Sequence, residues 1–295
     1  MSAGNIKGEL TENLKSLHLP TIRQCYEEVA RQAEREALSY ERYLHELMQR
    51  ECEERRENRT AKMLRQSQLP LEKSLDAFDG RRLLPKAARQ MRMLLDGGFL
   101  DRAENALVSG NPGSGKTHLL QAVGQELIRK GRRILFTSCE MVVQELLIAK
   151  RDLKLSKLIK KYAQYEGMII DDLGYIRQTR EEMEVVFTLL AERYERGSVL
   201  LTSNLPFSKW EGIFKDPMTT AAAIDRLVHH SIIIELNIPS YRLEHAKTNV
   251  QSLEADGKEA PPGAAPASGE LRSGSGLRPS PPASSPEAQV NVAEA

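Results

Sequence analysis

Residues 106–117 read ALVSGNPGSGKT, and residues 118–130 continue as HLLQAVGQELIRK. An apolar run, a glycine-rich bend and a Lys-Thr pair opening a helix-spaced stretch make a strand, a loop and a helix in that order. Residues 110–117, GNPGSGKT, match G-x-x-x-x-G-K-[ST] at every required position. Gly110, Gly113 and Gly115 let the backbone wrap tightly round an anion, with Asn111, Pro112 and Ser114 between them. Consecutive N–H groups and the helix N-terminus then face a phosphate. Lys116 is expected to reach the β- and γ-phosphates, Thr117 to bind Mg2+ through its hydroxyl, and His118 to border the nucleotide.

On either side the texture repeats. RILFT, GMIIDD, SVLLTSN and SIIIEL are short apolar runs separated by longer amphipathic stretches. Strands alternating with helices imply a parallel sheet covered on both faces, an α/β fold. In GMIIDD, residues 167–172, an apolar strand ends in two acids. Strand alternation is expected to send Asp171 and Asp172 opposite ways, Asp171 to hold Mg2+ and Asp172 to orient and deprotonate water. Asp at the second position, one methylene shorter than the Glu of many phosphate-loop ATPases, implies slow hydrolysis. Asn204 closes SVLLTSN; it either meets the γ-phosphate or caps the strand before Pro206.

Upstream, residues 10–68 read as about three helices, with breaks at Pro20 and Ser39 and a highly charged last helix around Glu51 to Arg65. Glycine is absent from Thr11 to Asp79, and residues 1–79 hold 13 Lys+Arg against 15 Asp+Glu, so this leader is not basic overall. Downstream, residues 251–295 hold 7 of the 14 prolines and no aromatic residue. Such a segment cannot bury enough surface to offset its ordering entropy, which predicts a disordered tail. The expected division is 1–68 helical, for DNA or a partner; 69–250 the nucleotide-binding domain; 251–295 tail.

Across all 295 residues, 42 Lys+Arg balance 41 Asp+Glu. A net charge of +1 excludes a protein that coats nucleic acid through bulk charge, so any such binding must be local. One local candidate is LLIAKRDLKLSKLIKKYAQYEG, residues 146–167. Lys150, Lys154, Lys157 and Lys161 are spaced to share one helical face, with Lys160 beside them, a pattern suited either to phosphate-backbone contact or to a merely solvated face. A second cluster, Arg81, Arg82, Lys86, Arg89 and Arg92, suits DNA or an interface. Three scattered cysteines and no export or membrane-spanning run point to a reducing, cytoplasmic setting with no membrane partner. Six histidines show no metal spacing.

GNPGSGKTHL, IIDDLGY, LLTSNLPFSKW and the closing DRLVHHS and SYR together resemble the IstB-like helper ATPases of bacterial insertion sequences. These are AAA+ proteins of the initiator clade, related to the helicase loader DnaC, and the resemblance covers residues 10–248. It implies an AAA+ phosphate-loop core after a small all-helical domain, with ATP and Mg2+ as cofactors. It also implies an ATPase stimulated by DNA and by assembly into a homo-oligomer, double-stranded DNA held by its backbone, and a transposase of the same element as partner. A DnaC-like loader of a replicative helicase is the alternative; a metabolic phosphate-loop kinase would need an acceptor pocket and a lid. By the same resemblance Asn204 falls on the sensor position, and Arg226 on the box whose arginine reaches a neighbouring subunit's nucleotide. Arg242 falls on a second-sensor position. Leu75 and Phe78 are candidates for the base pocket or for a hydrophobic staple on the core. The basic helical segment falls where such ATPases line a DNA channel.

Overall fold

The computed structural model describes residues 3–173, 179–205, 227–228 and 231–241. The segment 251–295, expected to be a tail, lies outside them, as do Arg226 and Arg242.

Three helices lead the chain: α1 (Ala3–Ser16), α2 (Pro20–Arg35) and α3 (Tyr40–Ser67). Their breaks fall at the positions read from Pro20, which sits at the start of α2, and from Ser39, whose hydroxyl caps α3 by accepting the Arg42 N–H. Leu14, Ile22, Val29 and Leu47 form their own apolar cluster. Leu19 at the N-cap of α2 offers no side-chain cap. Glu51 of α3 supplies it instead, accepting the Thr21 and Ile22 amides at 2.9 and 3.2 Å while Arg55 Nε donates to it at 2.8 Å. Burial alone would raise the Glu51 pKa. The guanidinium and the two amides hold it below the usual carboxylate value.

At its far end α3 packs Met63 and Leu64 against a second core, and Gln68, in left-handed conformation, ends the helix before buried Leu69. The connection runs through a 3-10 turn (Gly80–Arg82), α4 (Pro85–Asp96) and α5 (Gly98–Asp101) into the sheet. Then alternate β1 (Asn105–Gly110), α6 (Lys116–Arg129), β2 (Ile134–Ser138), α7 (Cys139–Arg151), α8 (Leu155–Tyr162), β3 (Gly167–Asp171), α9 (Arg180–Arg193), β4 (Ser198–Ser203) and β5 (Ser231–Leu236). All pairings are parallel, in the order β2-β3-β4-β1-β5. The five apolar runs read from the sequence are the five strands of the described residues.

Period-two alternation divides the sheet between two cores. Leu107, Met168, Ile170, Val199 and Leu201 face α7 and α9, whereas Ala106, Val108, Ile169, Leu200 and Ile234 face α4 and α6. Each leucine fully removed from water contributes about 1.5–3 kcal/mol, so both faces must be apolar. Arg193, at the end of α9, is a charged residue buried beside the core. It donates to the carbonyls of Tyr162, Tyr165, Glu166 and Ser198 at 3.0–3.2 Å, tying α8 and the starts of β3 and β4 together. Burial draws its pKa down to about 10, which leaves it a cation at neutral pH.

The lysines expected on one helical face lie on two helices and the corner between them. α7 stops at Arg151, Leu153 takes a left-handed backbone, and α8 begins at Leu155. The cysteines are free thiols, and no helix among the described residues is long and apolar enough to cross a membrane.

Candidate nucleotide site

The parallel order puts the C-terminal ends of β1, β3 and β4 side by side, the edge where open α/β sheets bind ligands. At the end of β1 the phosphate loop turns under the chain that follows β5. Gly110, φ +154°, leaves no room for a Cβ against the Leu236 carbonyl. Gly113, φ +78°, leaves none against Ser240, and its carbonyl accepts the Tyr241 N–H at 3.0 Å. Arg82 completes this closure, donating to Pro239 O at 3.1 Å and lying 5.2 Å over the Tyr241 ring. Arg82, grouped by sequence with Arg81, Lys86, Arg89 and Arg92, thus contacts the chain that follows β5.

Lys116 is buried, its ammonium held by the carbonyls of Gly110 and Asn111 at 3.0 and 2.9 Å. Ser114 is buried too, with its hydroxyl oxygen unmatched by any partner among the described residues. An unmatched hydroxyl, a buried ammonium and a helix N-terminus on one loop fit a polyphosphate.

Thr117 donates to Asp171 Oδ1 at 2.9 Å, and the Thr202 hydroxyl donates to the same oxygen. A hydroxyl and a carboxylate side by side are hard oxygen donors that suit Mg2+. Among the described residues no cluster of three or more acidic, His or Cys side chains could hold a metal by itself, so water and phosphate oxygens would have to complete the shell. Burial raises the Asp171 pKa, and the neighbouring Asp172 charge adds to the effect against the two hydroxyl bonds and Lys116.

Asp172 departs from the alternation expected of it. β3 ends at Asp171, and Asp172 turns into left-handed backbone at φ +59°. Its N–H donates to Thr202 Oγ1 at 2.8 Å, and Asn204 Nδ2 lies 3.5 Å from its carboxylate. The next residue is pinned to β4 as well: Leu173 N–H donates to Thr202 O, and Ser203 Oγ to Leu173 O, both at 2.9 Å. Thr202 was not singled out in the sequence, although a buried polar residue opposite the paired acids is the signal that would have found it.

At the other end of the loop, His118 Nε2 meets the Ser74 carbonyl at 3.1 Å and its ring meets Phe78 edge-on at 5.2 Å. A carbonyl only accepts, so Nε2 carries the proton; burial lowers the His118 pKa and favours the neutral ring. Phe78 lies beside Gly115, and both Leu75 and Phe78 pack on the α6 core. Leu227, next to Arg226, anchors to β1 through its carbonyl, which accepts Asn105 Nδ2 at 3.2 Å.

Of the basic candidates, Lys150 pairs with Glu184 at 3.2 Å, and Lys154 with Asp152 at 3.6 Å. Lys157, Lys160 and Lys161 are exposed on α8, which turns Ile159 and Tyr162 inward.

The family model described as IstB-like ATP binding protein matches residues 12–249. The chain is 40% identical over 235 residues to an insertion sequence ATP-binding protein of Sinorhizobium fredii, covering 79% of this chain and 78% of that one. It is 34% identical over 242 residues to the insertion sequence IS5376 ATP-binding protein of Geobacillus stearothermophilus, covering 82% and 96%. Among solved structures it resembles the DnaC helicase loader at a TM-score of 0.48 and 19% identity, over 57% of this chain and 98% of that one.

Proposed function

From the chain's membership of the IstB-like ATP-binding protein family, we propose that it is an ATP-hydrolysing helper of insertion-sequence transposition that assembles on duplex DNA and assists the element's transposase. The observation that carries the catalytic half is the bond from Thr117 to Asp171, which joins the phosphate loop to the acid-bearing strand.

In this reading the loop amides and the Lys116 ammonium bind the β- and γ-phosphates and neutralise charge as it develops. Thr117 and Asp171 would hold Mg2+, which would supply further charge neutralisation on the phosphate oxygens. Asp172 takes the proton of the attacking water, and Asn204, within reach of that carboxylate, keeps it aimed. Phe78 and His118 border the nucleoside end. Arg226 serves the neighbouring subunit's site, so assembly and hydrolysis are linked. Lys157, Lys160 and Lys161, with Lys150 and Lys154 at the edge, hold DNA phosphates without reading bases.

Hydrolysis assayed with and without duplex DNA over a salt series tests both halves. The expected result is Mg2+-dependent turnover, stimulated by DNA, with stimulation falling steeply as salt rises. Turnover indifferent to DNA removes the DNA half; no adenine-nucleotide binding removes the whole reading. Co-purification with a transposase supports the named partner, whereas co-purification with a replicative helicase replaces transposition with helicase loading.

A further inference from the structure

The corner between α7 and α8 is closed by a two-bond helix cap: Leu153 N–H donates to Lys150 O at 3.2 Å, and Lys154 N–H to Ala149 O at 2.7 Å. The residue at its left-handed position is ordinarily glycine. The equivalent cap of α6 has Gly131 there, with matching bonds to Ile128 and Leu127. At the corner it is Leu153, at φ +56° and 93% exposed. His18, Ala37, Gln68, Ala103, Asp172 and Glu195 are the other described non-glycine residues with positive φ, but none is a large aliphatic side chain. A leucine here accepts backbone strain and loses the benefit of burial. Neither cost serves the fold, and such an outlier points to function.

The surroundings say what the leucine meets. Arg151 and Lys154 flank it, both touching Asp152, and Lys157, Lys160 and Lys161 follow along α8. Behind them Ile148, Ala149 and Leu158 line a groove of about 630 Å³. Glu145, another acid on its wall, is engaged by the Tyr162 hydroxyl at 2.6 Å. The corner is therefore a single projecting apolar tip within a field of cations, complementary to a polyanion with an apolar interior. Duplex DNA has that chemistry: phosphates outside, stacked bases within.

The geometry points to Leu153 as a wedge that enters between two base pairs from the minor groove while the neighbouring cations hold the phosphates beside it. This inference rests on the DNA reading above and adds a mode to it. Inserted leucines partly unstack a base step, and the gain is a closer fit of backbone to basic surface. Arg151 and Lys154, two and one residues from the tip and both beside Asp152, are placed to engage phosphates next to the opened step. α8 carries the remaining lysines along the backbone.

The test uses the full chain and a duplex carrying the fluorescent base analogue aminopurine, with anisotropy reporting binding independently. Wild type should bind and raise the aminopurine fluorescence. Leu153→Ala and Leu153→Gly should bind with an unchanged salt slope and lose the rise; Leu153→Phe should keep it. Leu153→Gly should also raise Tm, because glycine relieves the left-handed strain. Wild-type binding without a rise, or an equal rise from Leu153→Ala, overturns the wedge and leaves the DNA reading standing. Failure to bind duplex at all overturns both. A change in oligomer mass with no change in fluorescence assigns the tip to contact between copies and overturns the wedge.

Discussion

The Thr202 hydroxyl donates to the carboxylate of Asp171. The Thr202 hydroxyl oxygen in turn accepts the Asp172 N–H at 2.8 Å, so one buried side chain fixes both acids of the site. Thr202→Val keeps the shape and removes the hydroxyl. A hydrogen bond to a charged group contributes about 1.5–3 kcal/mol, and if that loss falls on the transition state, kcat should drop about ten- to a hundredfold. KM for ATP should change little, because the bonds of the Thr202 hydroxyl run to the two acids rather than to Lys116. Thr202→Ser should restore most of the rate, and steady-state kinetics of the three proteins checks this. Amide exchange at Asp172 should rise in Thr202→Val without nucleotide, a readout independent of turnover.

Glu51 links the leader helices through the unpaired amides at the start of α2. Glu51→Ala leaves those donors uncapped and should cost about 1–3 kcal/mol. Its folded-state pKa is depressed, so its contribution is present above the unfolded value of about 4.3 and is lost as pH falls through the folded value. The Tm difference between wild type and Glu51→Ala should be full at neutral pH and shrink below about pH 4.

Most of the nucleotide end was legible because its determinants are local. A phosphate loop needs glycines and a Lys-Thr pair within eight positions, and the acids follow directly on an apolar run. The strands were legible for the same reason, since a buried parallel strand is a continuous apolar word. Contacts made between distant words were not. Tyr241 bonding to Gly113, Arg82 bonding to Pro239, and Arg193 serving four carbonyls depend on β5 lying beside β1 and on α9 packing against β4 and α7. The basic stretch was read as one face because lysine spacing carries no sign that Leu153 would turn left-handed. Nothing in a leucine announces that conformation.

That broken face changes which lysines matter. Lys157, Lys160 and Lys161 are exposed on α8, whereas Lys150 is tied to Glu184. Replacing the three by alanine should weaken duplex binding and reduce the slope of log affinity against log salt by about 3, close to one unit per phosphate contact. Lys150→Ala should change the slope much less. Binding isotherms over a salt series check this, and equal effects from Lys150 and the α8 lysines would reverse the assignment.

Shared-site hydrolysis makes the most demanding prediction, because it needs two defective proteins to repair each other. Lys116→Ala removes the buried ammonium at the phosphate loop and should abolish ATP binding. Arg226→Ala should keep ATP binding and lose hydrolysis by about a thousandfold or more, the usual worth of an arginine supplied in trans. In a mixed oligomer, the Lys116→Ala subunit still carries Arg226, and the Arg226→Ala subunit still carries an intact loop. Mixing should therefore restore part of the wild-type rate, rising with the fraction of mixed interfaces. Measured by titrating one variant into the other under conditions where subunits exchange, absence of recovery would confine each site to a single chain and cut the link between assembly and hydrolysis.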